Sequence, residues 1–425
     1  MKKVLIIGHF WPYRGGSKRI IGLAKYLKDF DWEPIVLTGF LKQKPEPNFR
    51  YIEDSYCGFL GKWGKILGIN PNFSVSDQFK EKLNNRKSSV IKSLLRFLYR
   101  RFAEILAFPD EDKYWKKNAL EAATQLFKTE KIDAVMSVWP QTSHIIAKEL
   151  KIKYKIPWIA DFPDLWSQNY DYPYSLLRRN FDRNIEQETI KSADVLTTVS
   201  DGLAYRLKEL HKGKKIYSIT HGFDPKEVNI KPVSLTPKFT ITYTGQIYKR
   251  KQNPSKVLIA LKELINQGII ESEKFSSRFY GSVNAFLEEE IKKYKLSSIA
   301  KQYGIVPHEE AIKRQQESHL LLLLNWEDKN QKGVYTGKIF EYFAARRPII
   351  VTGGIKGDVI DILIRKTNSG TVTFTIEDIK QAIKNYYLEY ERAGQIAYKG
   401  NLSEISKYSV VEMAKKFSEI LDKIT

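Results

Sequence analysis

The chain has 425 residues, of which 42% are hydrophobic and 13% aromatic; this length exceeds one ordinary domain and predicts two domains with substantial cores. No run of about 18 apolar residues occurs, so no transmembrane helix is predicted. The single cysteine, Cys57, excludes an intrachain disulfide and favours a reducing, cytoplasmic location. The net charge of +21 favours polyanionic partners such as nucleic acid, anionic lipid or phosphorylated substrates. It also fits a generally lysine-rich composition, because the lysines are spread along the chain.

The first half alternates short apolar runs with helical patterns, which is typical of a parallel, doubly wound α/β sheet. The predicted strands are Val4–Ile7, Ile35–Thr38, Ala134–Val138, Trp158–Ala160, Val195–Val199 and Ile216–Ile219. After the first strand, Gly15 and Gly16 form a flexible turn, and Ser17 can cap a helix over 18–29. The N-terminus of that helix can hold a phosphate or a sugar. Residues 40–80 carry no clear pattern.

Residues 81–106 predict a basic amphipathic helix. Its basic face carries Lys92, Arg96 and Arg100, and its apolar face carries Ile91, Leu94, Leu95, Leu98, Phe102, Ile105 and Leu106. This pattern is typical of a helix that lies on an anionic membrane surface. A domain-packing helix with a solvated basic side fits the same pattern. Beyond it, Asp110 is predicted to cap a helix that ends at Thr129.

A linker is predicted over 211–237, where prolines and Gly222 interrupt the apolar pattern. The predicted domains are therefore 1–228 and 229–402, with a final helix over 403–425 that returns to the first domain. The second domain has predicted strands at Phe239–Gly245, Phe279–Tyr280, Leu320–Leu324, Ile349–Val351 and Thr371–Val372.

One crossover of the second domain carries a candidate ligand site. Strand Leu320–Leu324 leads through a polar loop into a helix that begins near Gly337. Glycines at 333 and 337 let a phosphate approach the backbone, and Lys338 and Glu341 lie in the first turns of the helix. Glu341 can accept both hydroxyls of a ribose. An ordinary surface helix with a Lys/Glu pair at i, i+3 would show the same residues.

The pattern Lys338-x-x-Glu341-Tyr342-x-Ala344-x-x-x-Pro348-Ile349 resembles the nucleotide-sugar signature of family 4 glycosyltransferases, which are retaining enzymes. The resemblance implies the GT-B fold, in which two Rossmann-like, doubly wound domains face a cleft. The family signature has two glutamates separated by seven residues. Glu341 matches the second glutamate, whereas the first, which contacts the donor sugar, corresponds to Gly333. Backbone N–H groups between Gly333 and Gly337 are therefore expected to contact the sugar.

The leaving diphosphate of such a donor requires positive charge. The family places an arginine and a lysine after a glycine that ends the first strand of the second domain. Here Gly245 is followed by Gln246 at the arginine position, and the charge is expected from one or two of Lys249, Arg250 and Lys251. A solvated basic loop is the alternative interpretation.

Two stretches of the first domain resemble family loops near the reacting sugar. His144 follows the strand at 134–138, and the resemblance implies that it contacts the donor sugar or organises the acceptor. Asp161 and Asp164 follow the strand at 158–160 and are candidate acceptor or cleft residues. A structural histidine and a capped helix start are the alternatives.

No metal and no cofactor is implied, because the six histidines are scattered and the Asp-x-Asp pairs lie at helix ends. The predicted activity is retaining transfer from a nucleotide sugar to a saccharide or lipid-linked saccharide of the cell surface. The enzyme is expected in the cytoplasm, with possible attachment to the inner face of the membrane and with no nucleic-acid partner. The alternatives are a basic nucleic-acid-binding protein without catalysis and a carboxylate-dependent hydrolase.

Overall fold

The computed structural model describes residues 1–9, 17–39, 41, 49–54, 104, 108–172, 174–228, 233–248, 251–328 and 331–425. Contacts divide the chain into a first unit, Met1–Ile219 with Ala414–Thr425, and a second unit, Thr220–Met413. No helix in these described ranges is long and apolar enough to cross a membrane.

The first unit contains a seven-stranded, wholly parallel sheet with the strand order β3-β2-β1-β4-β5-β6-β7. Its strands are β1 Lys2–Ile7, β2 Trp32–Thr38, β3 Tyr51–Glu53, β4 Ala134–Val138, β5 Trp158–Phe162, β6 Val195–Thr198 and β7 Lys215–Ser218. Its helices are α1 Ser17–Tyr26, α2 Trp115–Thr129, α3 Gln141–Tyr154, α4 Leu176–Ile190 and α5 Asp201–Leu210, with a 3₁₀ turn at Leu27–Phe30. The order reverses at β1, as in a doubly wound sheet that binds ligands at its carboxyl edge.

The second unit contains a six-stranded parallel sheet with the order β10-β9-β8-β11-β12-β13. Its strands are β8 Phe239–Thr244, β9 Phe275–Tyr280, β10 Ala300–Gly304, β11 Leu320–Leu324, β12 Ile349–Thr352 and β13 Gly370–Thr373. Its helices are α6 Pro225–Val228, α7 Ser255–Asn266, α8 Ala285–Lys293, α9 His308–Gln316, α10 Lys338–Ala345, α11 Val359–Thr367, α12 Ile376–Ala393 and α13 Leu402–Ser406, with a 3₁₀ turn at Ser272–Lys274. The last helix of the chain, α14, spans Val410–Ile424.

Helices cover both faces of each sheet, so the central strands are buried along their whole length. The five leucines of β11 are the clearest case, since each is at most 1% exposed. Leu320, Leu322 and Leu324 pack into one core cluster of the second unit, and Leu321 and Leu323 pack into another. A continuous apolar run therefore predicted this strand correctly.

The two units meet in sequence at 219 and 220, whereas the predicted domains met at 228 and 229. A backbone pairing explains the difference: Phe223 N–H donates to Tyr408 O (3.1 Å), and Val410 N–H donates to Phe223 O (2.9 Å). Residues after 219 are thereby held by the end of the second unit. The same pairing splits the predicted final helix into α13 and α14.

Asp110 does not cap the helix that follows it. Its carboxylate accepts the N–H and the hydroxyl hydrogen of Thr142 (2.6 and 2.8 Å), in the first turn of α3, and the N–H of Asp112 (2.8 Å). The predicted cap therefore serves a different helix. Burial, together with the nearby Asp112 carboxylate, raises the pKa of Asp110 to about 7.

Candidate active site

Close backbone contacts shape the carboxyl edge of the second sheet. Gly245 follows β8 with φ +122°, and a Cβ there would lie 2.0 Å from Cε of Lys338. Gly281 follows β9 with φ +144°, and a Cβ there would lie 2.2 Å from Gly245 O. Only glycine permits this packing, and the packing places the Lys338 side chain directly across the end of β8.

Lys338 is the first residue of α10, and its ammonium lies 5.3 Å from the centre of the Tyr243 ring. Burial lowers the pKa of Lys338, while the charge of Glu341 acts in the opposite direction. Glu341 lies in the first turn of the same helix. A cation, a carboxylate and the N–H groups of a helix N-terminus thus converge at this edge, and such an arrangement suits an anionic ligand with hydroxyl groups.

The hydroxyl of Tyr342 fixes β8 beside β11. It accepts the N–H of Thr244 (3.1 Å) and donates to Leu322 O (3.0 Å). Burial raises the pKa of Tyr342 to about 12, so it stays a neutral donor. Tyr342 is part of the Glu-Tyr signature, and its role here is structural.

The loop after β8 contacts the loop after β11 through Lys251. The Lys251 ammonium lies 4.4 Å from the centre of the Trp326 ring, and Lys251 O accepts the N–H of Glu327 (2.9 Å). The other two predicted cations, Lys249 and Arg250, lie outside the described residues. Trp326 was not predicted; the only signal for it was a tryptophan in an otherwise polar loop after a buried strand.

Gly333 and Gly337 delimit the loop that enters α10. Gly333 has φ +81°, and its N–H donates to Oδ1 of Asp358 (3.0 Å). The N–H groups between Gly333 and Gly337 were predicted to contact the donor sugar; that of Gly333 is bonded to Asp358 here, and the contact of the others stays a prediction. Space is open around the Cα of Gly337.

Asp161 does not face a ligand. It is fully buried, accepts two hydrogen bonds from Arg19 (2.6 and 2.9 Å) and one from the Thr197 hydroxyl (2.6 Å). The predicted strand ended at Ala160, whereas β5 continues to Phe162. Asp161 is therefore inside a sheet that is covered on both faces, and its assignment to the acceptor is corrected.

His144 is also buried, and its ring belongs to a chain of hydrogen-bonded side chains. Trp158 Nε1–H donates to Ser137 Oγ (2.8 Å), and Ser137 Oγ lies 2.7 Å from His144 Nδ1. Ser137 Oγ can either donate to Nδ1 or accept from it, so this contact is compatible with both neutral tautomers of His144. The ring stacks on Phe162 (4.5 Å between centroids), and burial, aided by His211, lowers the pKa of His144 to about 3. His144 is therefore a neutral N–H donor rather than a base.

The remaining predicted residues fall into two groups. Asp164 is exposed just beyond β5. The predicted donor residues Gly15 and Gly16 and the predicted membrane residues Lys92, Arg96 and Arg100 lie outside the described residues. Within the described part of the chain, no group of three or more His, Cys, Asp or Glu side chains is arranged to hold a metal ion.

Solved structures share this architecture over nearly the whole chain. A glycosyltransferase from Rickettsia africae ESF-5 is 17% identical, with a TM-score of 0.62 and coverage of 100% of this chain and 98% of that one. The UDP-forming α,α-trehalose-phosphate synthase from Burkholderia xenovorans is 12% identical, with a TM-score of 0.62 and coverage of 99% and 100%. WaaG, a glycosyltransferase involved in lipopolysaccharide biosynthesis, is 10% identical, with a TM-score of 0.55 and coverage of 98% and 99%. These likenesses confirm the predicted GT-B fold.

No curated protein matches the sequence. The family model named Glycosyltransferase Family 4 matches residues 13–227, half of the 425-residue chain. That match covers most of the first unit and ends at 227, whereas the signature around Glu341 lies further along the second unit, so the two lines of evidence are independent. The chain belongs to glycosyltransferase family 4.

Proposed function

We propose that this glycosyltransferase moves a sugar from a nucleotide sugar to a hydroxyl of a saccharide or lipid-linked saccharide, with retention of anomeric configuration, in cell-surface polysaccharide synthesis. The observation that carries the proposal is the convergence of Lys338, Glu341 and the N-terminus of α10 at the end of β8. The similarity to a UDP-forming synthase and to a lipopolysaccharide glycosyltransferase supports the donor and acceptor classes.

Lys338 takes over a charge that the family pattern places elsewhere. Gln246 stands where the family has arginine, and it supplies no charge to a diphosphate. The close approach of Lys338 to Gly245 brings a cation to the residue next to Gln246. Lys338, Lys251 and the N–H groups of α10 then oppose the negative charge that grows on the leaving diphosphate.

Glu341 binds the nucleoside end of the donor in this proposal. Its carboxylate accepts hydrogen bonds from the two ribose hydroxyls, and each such charge-assisted bond contributes about 1.5–3 kcal/mol. The Glu341 carboxylate thus binds the ribose, and the Lys338 ammonium binds the diphosphate.

In the transfer step, the bond between the anomeric carbon and the diphosphate oxygen breaks as the acceptor oxygen bonds to the same face. The acceptor proton passes to the leaving diphosphate oxygen, so atoms and charges balance. No side chain is assigned as a nucleophile, and no metal is invoked. The first unit is assigned to the acceptor, with Asp164 as its exposed candidate residue.

Calorimetry with Glu341→Ala tests the donor site. The wild-type protein is first screened against UDP-glucose, UDP-galactose, UDP-N-acetylglucosamine, GDP-mannose and dTDP-rhamnose. Glu341→Ala should weaken the best ligand at least tenfold, with unchanged thermal unfolding. Glu289→Ala, an exposed glutamate of α8, is the control and should bind as the wild type does. Unchanged affinity in Glu341→Ala would overturn the assignment.

Peripheral attachment to an anionic membrane is a second part of the proposal. Leu176, Leu177 and Phe181 at the start of α4 are 75%, 69% and 56% exposed, and Arg183 beside them is exposed. Ser175 N–H, just before α4, donates to Oε1 of Glu104 (2.8 Å). Glu104 follows a strongly basic stretch of the sequence. Residues 80–101 include eight Lys or Arg and one Glu. Exposed apolar side chains in α4 and a strongly basic stretch of sequence both suit attachment to an anionic bilayer surface, where each basic residue contributes about 1 kcal/mol.

Co-sedimentation with liposomes tests this attachment. Binding should require anionic lipid, weaken with salt, and fall in both Arg96→Glu/Arg100→Glu and Leu176→Ser/Leu177→Ser. Ile152→Ser, which changes an exposed residue of α3 in the same unit, is the matched control. Equal binding to neutral and anionic vesicles would contradict the attachment.

A further inference from the structure

Asp358 departs from the usual behaviour of a helix cap. It is the N-cap residue of α11 with an extended backbone, yet its side chain accepts no hydrogen bond from its own helix. An N-cap aspartate ordinarily accepts the N–H of the second or third helical residue. Here Oδ1 instead accepts the N–H of Gly333 (3.0 Å), in the loop that enters α10. A local rule that is broken in this way is often found where a residue serves function.

The position of Asp358 relates it to the donor site. β11 and β12 are neighbours, and Leu324 pairs with Thr352 at their carboxyl ends. Gly333 lies in the connection after β11, and Asp358 lies in the connection after β12. Lys338 is five positions after Gly333, so their Cα atoms are at most about 18 Å apart. One extended ligand can therefore touch both.

The Asp358 carboxylate can accept further hydrogen bonds. Asp358 is half-buried, and no hydrogen bond from a described residue reaches its second oxygen. A clamp on Gly333 needs only one acceptor atom, and an asparagine would provide it. Sugar hydroxyls, by contrast, donate their strongest hydrogen bonds to an ionised carboxylate.

We infer that Asp358 is a specificity-determining residue whose carboxylate binds hydroxyls of the transferred sugar. Position 333 carries no side chain, and Asp358 brings a carboxylate to its backbone from the neighbouring helix. The hydrogen bond from Gly333 orients Oδ1, while Oδ2 accepts from the sugar. This inference rests on the proposed function, since it presumes a nucleotide-sugar donor.

Asp358→Asn separates the clamp from the sugar contact, because its amide oxygen can still accept from Gly333. Calorimetry is performed with the nucleotide sugar that the wild type binds best and with the matching nucleoside diphosphate. The variant should bind the diphosphate within about twofold of wild type and the nucleotide sugar at least tenfold more weakly. A donor that lacks the recognised hydroxyl should bind wild type and variant equally.

Asp361→Asn is the control. Asp361 is on the same helix and accepts the N–H of Gly357 (2.8 Å), so its substitution removes the same charge without touching the donor loop. Equal nucleotide-sugar affinity in Asp358→Asn and wild type would overturn this inference alone. A wild-type protein that bound no nucleotide sugar would overturn the proposed function, and this inference with it.

Discussion

The carboxyl edges of the two sheets use charged residues differently. In the first unit, the motif residues turn inward: Asp161 pairs with Arg19, and His144 is a neutral member of a hydrogen-bonded chain. In the second unit, Lys338 and Glu341 belong to a helix start that is only partly buried. Burial distinguishes the two edges: Asp161 in β5 and His144 near the start of α3 are enclosed, whereas Lys338 and Glu341 are partly exposed at the start of α10.

The largest expected effect concerns the first edge. Asp161→Asn leaves the buried Arg19 guanidinium without its counter-charge, which typically costs about 3–5 kcal/mol. Urea unfolding should show this loss. Asp164→Asn, three residues further on and exposed, should change stability by less than about 0.5 kcal/mol. An Asp161→Asn protein of normal stability but weak acceptor binding would restore the acceptor assignment.

At the carboxyl edge of the second sheet, we expect a substitution to reduce ligand affinity rather than stability. Lys338→Met keeps an unbranched side chain over Gly245 but removes the charge, so nucleoside diphosphate affinity should fall by about 1.5–3 kcal/mol. Stability should be unchanged or higher, because a partly buried cation is removed. Lys384→Met in α12 is the control for the loss of one lysine. A stability loss without any change in affinity would make Lys338 part of the scaffold.

Substitution of Gly333, in the loop that enters α10, tests how strongly donor binding depends on the backbone conformation of that loop. Gly333 has φ +81°, and a valine there is strained by about 1–2 kcal/mol. Gly333→Val should therefore reduce donor affinity as well as stability. Gly394→Val imposes similar strain at φ +70°, at the end of α12 where space is open, and should affect stability only. Higher activity in Gly333→Glu would show that this position still takes the signature glutamate, against the role given to Asp358.

Most of the fold followed from local pattern. Short apolar runs predicted eleven of the thirteen strands at least in part, but β3 and β10 were missed. The edge strand β10 alternates buried and exposed residues over Ala300–Gly304 and contains no apolar run. The break between α13 and α14 depends on the distant Phe223, so no local signal could reveal it.

The sequence predicted some residues of the candidate site but not the contacts between them. Lys338 and Glu341 followed from the signature, but the contact between Lys338 and Gly245 joins distant parts of the chain. Asp358 belongs to no motif, and only the hydrogen bond to Gly333 identifies it. Asp161 was misjudged because one end of β5 was placed two residues too early.

His144 provides the smallest expected effect on activity. The folded-state pKa of about 3 lies below the ordinary value of 6.5, so the buried ring is neutral throughout the physiological range. The plot of activity against pH should therefore have the same shape between about pH 6 and 8 in the wild type and in His144→Gln. A break near pH 6.5 that the substitution removed would show a titrating, ligand-facing histidine.

The same depressed pKa makes stability depend on pH with a definite sign. Below about pH 6.5 the unfolded chain binds a proton at His144 and the folded protein does not. The contribution of His144 is complete above that pH and falls toward pH 3, by at most about 1.4 kcal/mol per pH unit. The difference in unfolding free energy between wild type and His144→Gln isolates this slope from other groups, including His211 and Asp110. The exposed His308→Gln is the control; a slope of the same size in both variants would contradict a buried, neutral His144.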